Sequence, residues 1–198
     1  MFEGFPIKKE VLESDHESRE QYEKLKNFAL IIIKPMGIEY IQEIIDRLLD
    51  HGEIKNLQFL KSTKEQIVQH YSASEFDVKG KKTSYYPALV SYMSKKDIRV
   101  FVLEGYNDRA DFIKNLRKDV IGPSDPEKTE EGQIRNIAKE LEYKKDVLVE
   151  GTGETSMAID NLIHCSDSIE SALKEIKIWY NDRVAEKYEK RYSQDKNN

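Results

Sequence analysis

The sequence predicts an α+β fold, a ferredoxin-like split βαβ with helices packed on a four-stranded antiparallel sheet. Three observations lead there. Short β-rich apolar runs recur at residues 28–33 and 98–103, with a more alternating one at 53–60. Segments with helical spacing separate these runs. A short fourth strand at 162–164 then leads directly into a long helix.

Each element has its own signal. Residues 28–33, Phe-Ala-Leu-Ile-Ile-Ile, are too short for a confident helix and are stopped by Pro35, so they read as a buried strand with Lys34 at its C-terminal end. Ile38, Ile41, Ile45 and Leu48 form an amphipathic helical face that Gly52 closes. The second strand carries Ile54, Leu57 and Phe59. Ser62 with Glu65 has the form of a capping box for a short helix bearing Ile67, Val68 and Tyr71. After a Lys/Gly-rich bend at 79–82, Leu89, Val90 and Met93 mark another helix. The third strand precedes a helix expected over 108–117 and a turn-forming Gly122-Pro123-Ser124-Asp125-Pro126 loop. Ile137, Ala138 and Leu141 suit a helix, and Val147, Leu148 and Val149 a short strand. Gly151-Thr152-Gly153 lacks the lysine of a phosphate-binding P-loop and reads as a plain turn.

The 198 residues are 38% hydrophobic and 35% charged, which suits one domain with a modest core. Residues 1–26 are expected as a polar, helical N-terminal extension, 27–180 as the domain, and 181–198 as a solvated helix or frayed tail. A net charge of −5 argues against a nucleic-acid partner but not against local phosphate binding. The single cysteine excludes a disulfide framework and a cysteine-based zinc site. No apolar run approaches the roughly 20 residues that cross a bilayer. The first ten residues lack the order of a signal peptide. A soluble, cytoplasmic protein without a membrane partner is the expectation.

The most informative stretch is Asn161-Leu162-Ile163-His164-Cys165-Ser166-Asp167-Ser168. Asp167 and Glu170 have capping-box spacing, and Ile169, Ala172, Leu173, Ile176 and Trp179 follow at helical intervals. His164 therefore stands where a strand ends and a helix begins, a place that favours anions. A histidine there can serve as a nucleophile toward phosphate. A lone histidine after two apolar residues is more often structural, so the rest of the chain must decide.

Read together, the pieces resemble nucleoside diphosphate kinase over about residues 27–180. The resemblance is carried by Ile33-Lys34-Pro35, His70-Tyr71, Tyr85-Tyr86 through Leu89-Val90, and Val102-Leu103-Glu104-Gly105. It continues with the 122–126 loop, Gly132-Gln133-Ile134-Arg135 and the histidine signature, in that order. It implies a phosphohistidine on His164, with Glu175 orienting the ring and Ser166 supporting that carboxylate. Lys34, Tyr71, Ser124 and Arg135 would surround the phosphates, with Arg117, preferred over Lys118, as a further cation. Asn161 and Lys34 would hold the ribose, and Tyr85 and Leu89 the base. The ligands implied are ATP and other nucleoside tri- and diphosphates, with Mg²⁺ held mainly by their phosphates rather than by protein ligands, in a homo-oligomer.

The chain departs from the family pattern in three places. Met36 replaces an acidic residue, and residues 136–160 are an insert. Cys165 replaces glycine, where its thiol is expected to crowd the imidazole. Two other readings stand beside catalysis. One is a catalytically weak or inactive nucleotide-binding module that uses the same pocket. The other, a Cys165–His164 thiol catalyst, is disfavoured because neighbours on an extended segment point to opposite faces.

Overall fold

The computed structural model describes residues 27–71, 77–78, 81–82, 85–106 and 111–195. The expected N-terminal extension, the start of the helix expected from Asp108 and part of the 79–82 bend lie outside these residues. Four strands form the central sheet: β1 (Phe28–Ile33), β2 (Gly52–Lys61), β5 (Asp97–Gly105) and β8 (Ile163–Cys165). Their order is β2-β5-β1-β8 and every pairing is antiparallel, which is the split βαβ expected from the sequence. Asp77–Val78 (β3) and Lys81–Lys82 (β4) pair in a minor two-stranded ladder.

β1 is buried at every position, because the sheet is covered on both faces. Ala29, Ile31 and Ile33 pack with Ile44 and Leu48 of α1 (Ile41–Leu49). Phe28, Leu30 and Ile32 face the opposite core. There they meet Ile67 of α2 (Lys64–His70), Leu89 and Met93 of α3 (Tyr85–Met93), and Ile176 of α5 (Ile169–Trp179). An uninterrupted apolar run in β1 is what two buried faces require. At the turn after it, a Cβ on Gly37 would come within 2.4 Å of the Leu162 carbonyl, so only glycine lets the chain pass so close to β8.

Several local expectations shift. The α2 cap is Thr63, whose side chain accepts from Gln66 N–H while Gln66 bonds back, rather than Ser62 with Glu65. Ser62 is instead buried, and its hydroxyl bonds the Met93 carbonyl. Ser168 caps α5 by accepting from Ser171 N–H, and Asp167 is left to pair with Arg117. The helix expected over 108–117 is a short α4 (Phe112–Asn115) that continues as a π-helix, Leu116–Ile121. Residues 134–140 are 3₁₀-helical. The insert holds two strands, β6 (Lys144–Leu148) and β7 (Thr155–Ile159), paired as a hairpin. Its turn carries Gly151 and Gly153 at φ +83° and +72°, which explains both glycines without a phosphate.

The expected tail is a helix, α6 (Asp182–Asp195), but it is not merely solvated. Tyr188 is fully buried, with its ring 4.9 Å from that of Phe28. Its hydroxyl donates to Glu104 Oε1 at 2.7 Å, and Arg191 pairs with the same oxygen at 2.7 Å. Polar composition hid this docking, because one tyrosine and Ala185 carry the apolar contact. Tyr188→Ala is expected to cost about 3–5 kcal/mol in urea unfolding, the range for truncating a buried aromatic. A loss below about 0.5 kcal/mol, typical of a surface position, would show that α6 does not belong to the core.

Candidate active site

The site is built on the turn that leads into β8. Leu162 is in the left-handed region, φ +70°, which few non-glycine residues occupy. Two hydrogen bonds hold it there: its carbonyl accepts from Lys34 N–H at 2.8 Å, and its N–H donates to Asp160 Oδ1 at 3.0 Å. Asp160 has no exposed surface. Its Oδ2 also accepts from Met36 N–H at 2.9 Å and from the Tyr92 hydroxyl at 2.8 Å. This carboxylate thus ties the β1 exit, α3 and the β8 entry together. The sequence reading missed it, since an aspartate before Asn161 resembles any turn residue.

On β8, His164 pairs with Ile32, and Cys165 pairs with Ile31 on the opposite face. Cys165 is buried in the core beside Ile163 and α1 residues, and burial raises its thiol pKa to about 12. It therefore does not crowd the imidazole as expected, and it stays a neutral thiol rather than a nucleophile. His164 Nε2 lies 3.3 Å from Glu175 Oε1. The Ser166 hydroxyl donates to Glu175 Oε2 at 2.5 Å and accepts from Leu30 N–H at 3.0 Å, which fastens the carboxylate to the sheet. Burial raises the Glu175 pKa, while His70 and the Ser166 hydrogen bond oppose that shift. The His164 side chain keeps 18% of its surface exposed.

Cations converge on the same place. Lys34, nearly buried, donates from Nζ to Asn161 Oδ1 at 2.7 Å. Desolvation lowers its pKa to about 8 against the pull of Asp160. Asn161 Nδ2 donates to the Ser124 carbonyl at 2.7 Å. Arg135 donates to the carbonyls of Gly122 and Ile163, both at 2.9 Å, and its buried Nε has no partner. Desolvation also lowers the Arg135 pKa, to about 10. A cleft of about 590 Å³ opens beside these groups, lined among others by Arg117, Lys118, Ser124, Lys128 and Arg135. Arg117 pairs with Asp167 at 2.7 Å and its charge reaches His164, whereas the Lys118 side chain is largely exposed beside Asp119.

Beside the histidine stand Tyr71, expected near the phosphates, and His70, to which sequence reasoning gave no role. The His70 ring lies 4.3 Å from the His164 ring and edge-on to it, and Tyr71, also buried, lies 5.8 Å away. Trp179 Nε1 donates to His70 Nδ1 at 3.1 Å, which leaves the His70 proton on Nε2, a buried donor with no partner. The ligand atoms of His70, His164 and Glu175 all lie within 4.8 Å of one another. The Trp179 hydrogen bond counts against a metal there, because it turns His70 Nε2 into a donor. The sequence signal for His70 is its place in the His70-Tyr71 segment, on one helical face with Ile67. The two residues expected at the base differ in exposure. Of these only Leu89, 1% exposed within the core, is closed; Tyr85 is partly buried and donates its hydroxyl to the Ile159 carbonyl at 3.4 Å.

Burial, together with the charges of Lys34 and Arg135, pushes the His164 pKa down to about 3, and burial does the same for His70. Both rings are neutral at physiological pH. Between the ordinary 6.5 and about 3, the unfolded chain binds protons that the folded chain refuses. Stability from these groups is therefore complete above about pH 6.5 and declines as pH falls toward 3. In NMR titrations the His70 and His164 ring resonances are expected to stay flat from about pH 8 to 5. A midpoint near the unperturbed value of about 6.5 for either ring would refute this electrostatic account.

Comparison with known proteins is consistent in kind. A family model described as nucleoside diphosphate kinase matches residues 27–184. A nucleoside diphosphate kinase of Clostridium perfringens (strain SM101 / Type A) is 30% identical over 152 residues, 77% of this chain and 90% of its own. One from Columba livia is 30% identical over 156 residues, 77% of this chain and 84% of its own. Among solved structures, the nucleoside diphosphate kinase of Encephalitozoon cuniculi superposes with a TM-score of 0.59 at 26% identity, covering 79% of this chain and 90% of its own. A transition-state mimic of the Borrelia burgdorferi enzyme, with bound vanadate and ADP, gives 0.61 at 23% identity, covering 79% and 88%. No described helix is long and apolar enough to cross a membrane.

Proposed function

This chain belongs to the nucleoside diphosphate kinase family, and we propose that it moves the γ-phosphate of a nucleoside triphosphate to a nucleoside diphosphate through a phosphohistidine on His164. The observation that carries the proposal is the His164–Glu175–Ser166 chain beside Lys34 and Arg135. Glu175 accepts from Nε2–H, so the lone pair of the neutral ring resides on Nδ1. Attack by Nδ1 on the γ-phosphorus forms an N–P bond and breaks the P–O bond, and the nucleoside diphosphate leaves. A second diphosphate reverses the step with its terminal oxygen, which regenerates the imidazole. No net proton transfer to the protein is needed.

Phosphoryl transfer asks the protein chiefly for alignment and fixed positive charge. Arg135 is locked by two carbonyls, and its partnerless Nε marks a place where an anion relieves an unsatisfied donor. Arg117 and Ser124 line the cleft that the phosphates would occupy. Lys34 and Asn161 would exchange their mutual hydrogen bond for ribose hydroxyls, with Tyr71 near the transferred group and Tyr85 toward the base. The donor set favours cations over carboxylates, so Mg²⁺ would arrive on the nucleotide and not in a protein cage; it supplies charge neutralisation on the phosphates.

A second reading, a nucleotide-binding module with little turnover, is favoured by the buried Leu89 and the tethered Tyr85. Intact mass after incubation with Mg-ATP, measured without acid, separates the two. The expected result is a gain of one acid-labile phosphoryl group that is transferable to a second diphosphate and absent in His164→Ala. Folded protein that binds ATP but gains no phosphoryl group would sink the catalytic reading.

A further inference from the structure

The β6–β7 hairpin has no task in that scheme, yet it touches the helix to which the scheme assigns the base. Val149 and Ala158 pack on Ala88 of α3, with Val147 against the same cluster, and Ala88 and Ala158 have no exposed surface. At the hairpin's base, the Ile159 carbonyl holds the Tyr85 hydroxyl. At its turn, Glu150 N–H donates to Ser91 Oγ at 3.1 Å, and the Glu150 carboxylate accepts from Lys64 Nζ of α2 at 2.6 Å. The hairpin is thus fastened to α3 at both of its ends and to α2 at its turn. Where it rejoins the sheet, Asn161 and Lys34 are bonded to each other and nearly buried. Among the described residues, the cleft lined by Arg117, Ser124 and Arg135 includes none of Tyr85, Leu89 and Lys34.

We propose that the β6–β7 hairpin is a cap on the nucleobase side of the site. It leaves phosphates a route to the cations but admits base and ribose only when it lifts from α3. The inference rests on the proposed phosphotransfer. The latch is built to release. Its buried apolar contact is Val149 and Ala158 on Ala88, with Val147 and Tyr92 only partly buried against it, and the Lys64–Glu150 pair is about half exposed and so is screened by salt. When only a fraction of molecules is open, apparent nucleotide affinity falls by that fraction while the chemistry is unchanged. Weakening the latch therefore lowers KM without altering kcat.

Two variants test this in the full chain. Glu150→Lys sets like charges against Lys64, and Ala158→Phe overfills the contact with Ala88. KM for Mg-ATP is expected to fall roughly threefold in each, a change within reach of one exposed ion pair. Labelling of His164 by phosphoramidate, a base-free phosphoryl donor, should stay within about twofold of the parent, because the cap does not act on it. Adding Lys64→Glu to Glu150→Lys should restore the parent KM. If Ala158→Phe fails to fold, the surface Glu150→Lys variant decides. An unchanged or raised KM in variants that use ATP overturns the cap alone. Labelling by phosphoramidate but never by ATP overturns the nucleotide reading and the cap with it.

Discussion

One buried carboxylate holds the site in shape. Asp160 satisfies the backbone of Met36 and Leu162 and the hydroxyl of Tyr92, and it sits where three elements converge. An aspartate without exposed surface is tolerable only when its oxygens are used in this way. Its bonds compensate the left-handed Leu162, and that turn sets where Asn161 and His164 project. Asp160 also offsets part of the desolvation cost of Lys34, so the lysine can stay nearly buried as an ammonium.

The same burial tunes the histidine. Removing water disfavours the charged imidazole, and Lys34 and Arg135 push in the same direction. The cations that would meet a triphosphate are therefore also those that keep the ring neutral and nucleophilic. Because Arg135 is fixed by the carbonyls of Gly122 and Ile163, its charge is in place before any ligand arrives. Trp179 does for His70 what Glu175 does for His164: each fixes a tautomer by claiming one ring nitrogen.

The insert changes the surroundings without changing this centre. It runs from residue 136, within the 3₁₀ segment that carries Arg135, to Asp160, between that arginine and the histidine strand. Its hairpin packs on α3 through Val149 and Ala158 against Ala88. A fold can thus take on an added hairpin by lengthening one loop, because loop closure entropy grows only slowly with length.

The sequence by itself determined the succession of the core strands and the main helices along the chain, the fully apolar β1 and the placement of His164 between strand and helix, since periodicity and turn residues are local signals. The opposed faces of His164 and Cys165 were also readable, because side-chain alternation is a property of any extended segment. Only the tertiary structure decided which polar groups meet. Asp160 with Met36 and Tyr92, Trp179 with His70, and Tyr188 with Glu104 join residues far apart in the chain, and no local pattern encodes a pairing across the sheet. It also decided that Leu89 is core rather than ligand wall, and that a polar C-terminal helix docks through one tyrosine. Burial depends on what packs against a residue, and that is fixed when the chain closes on itself.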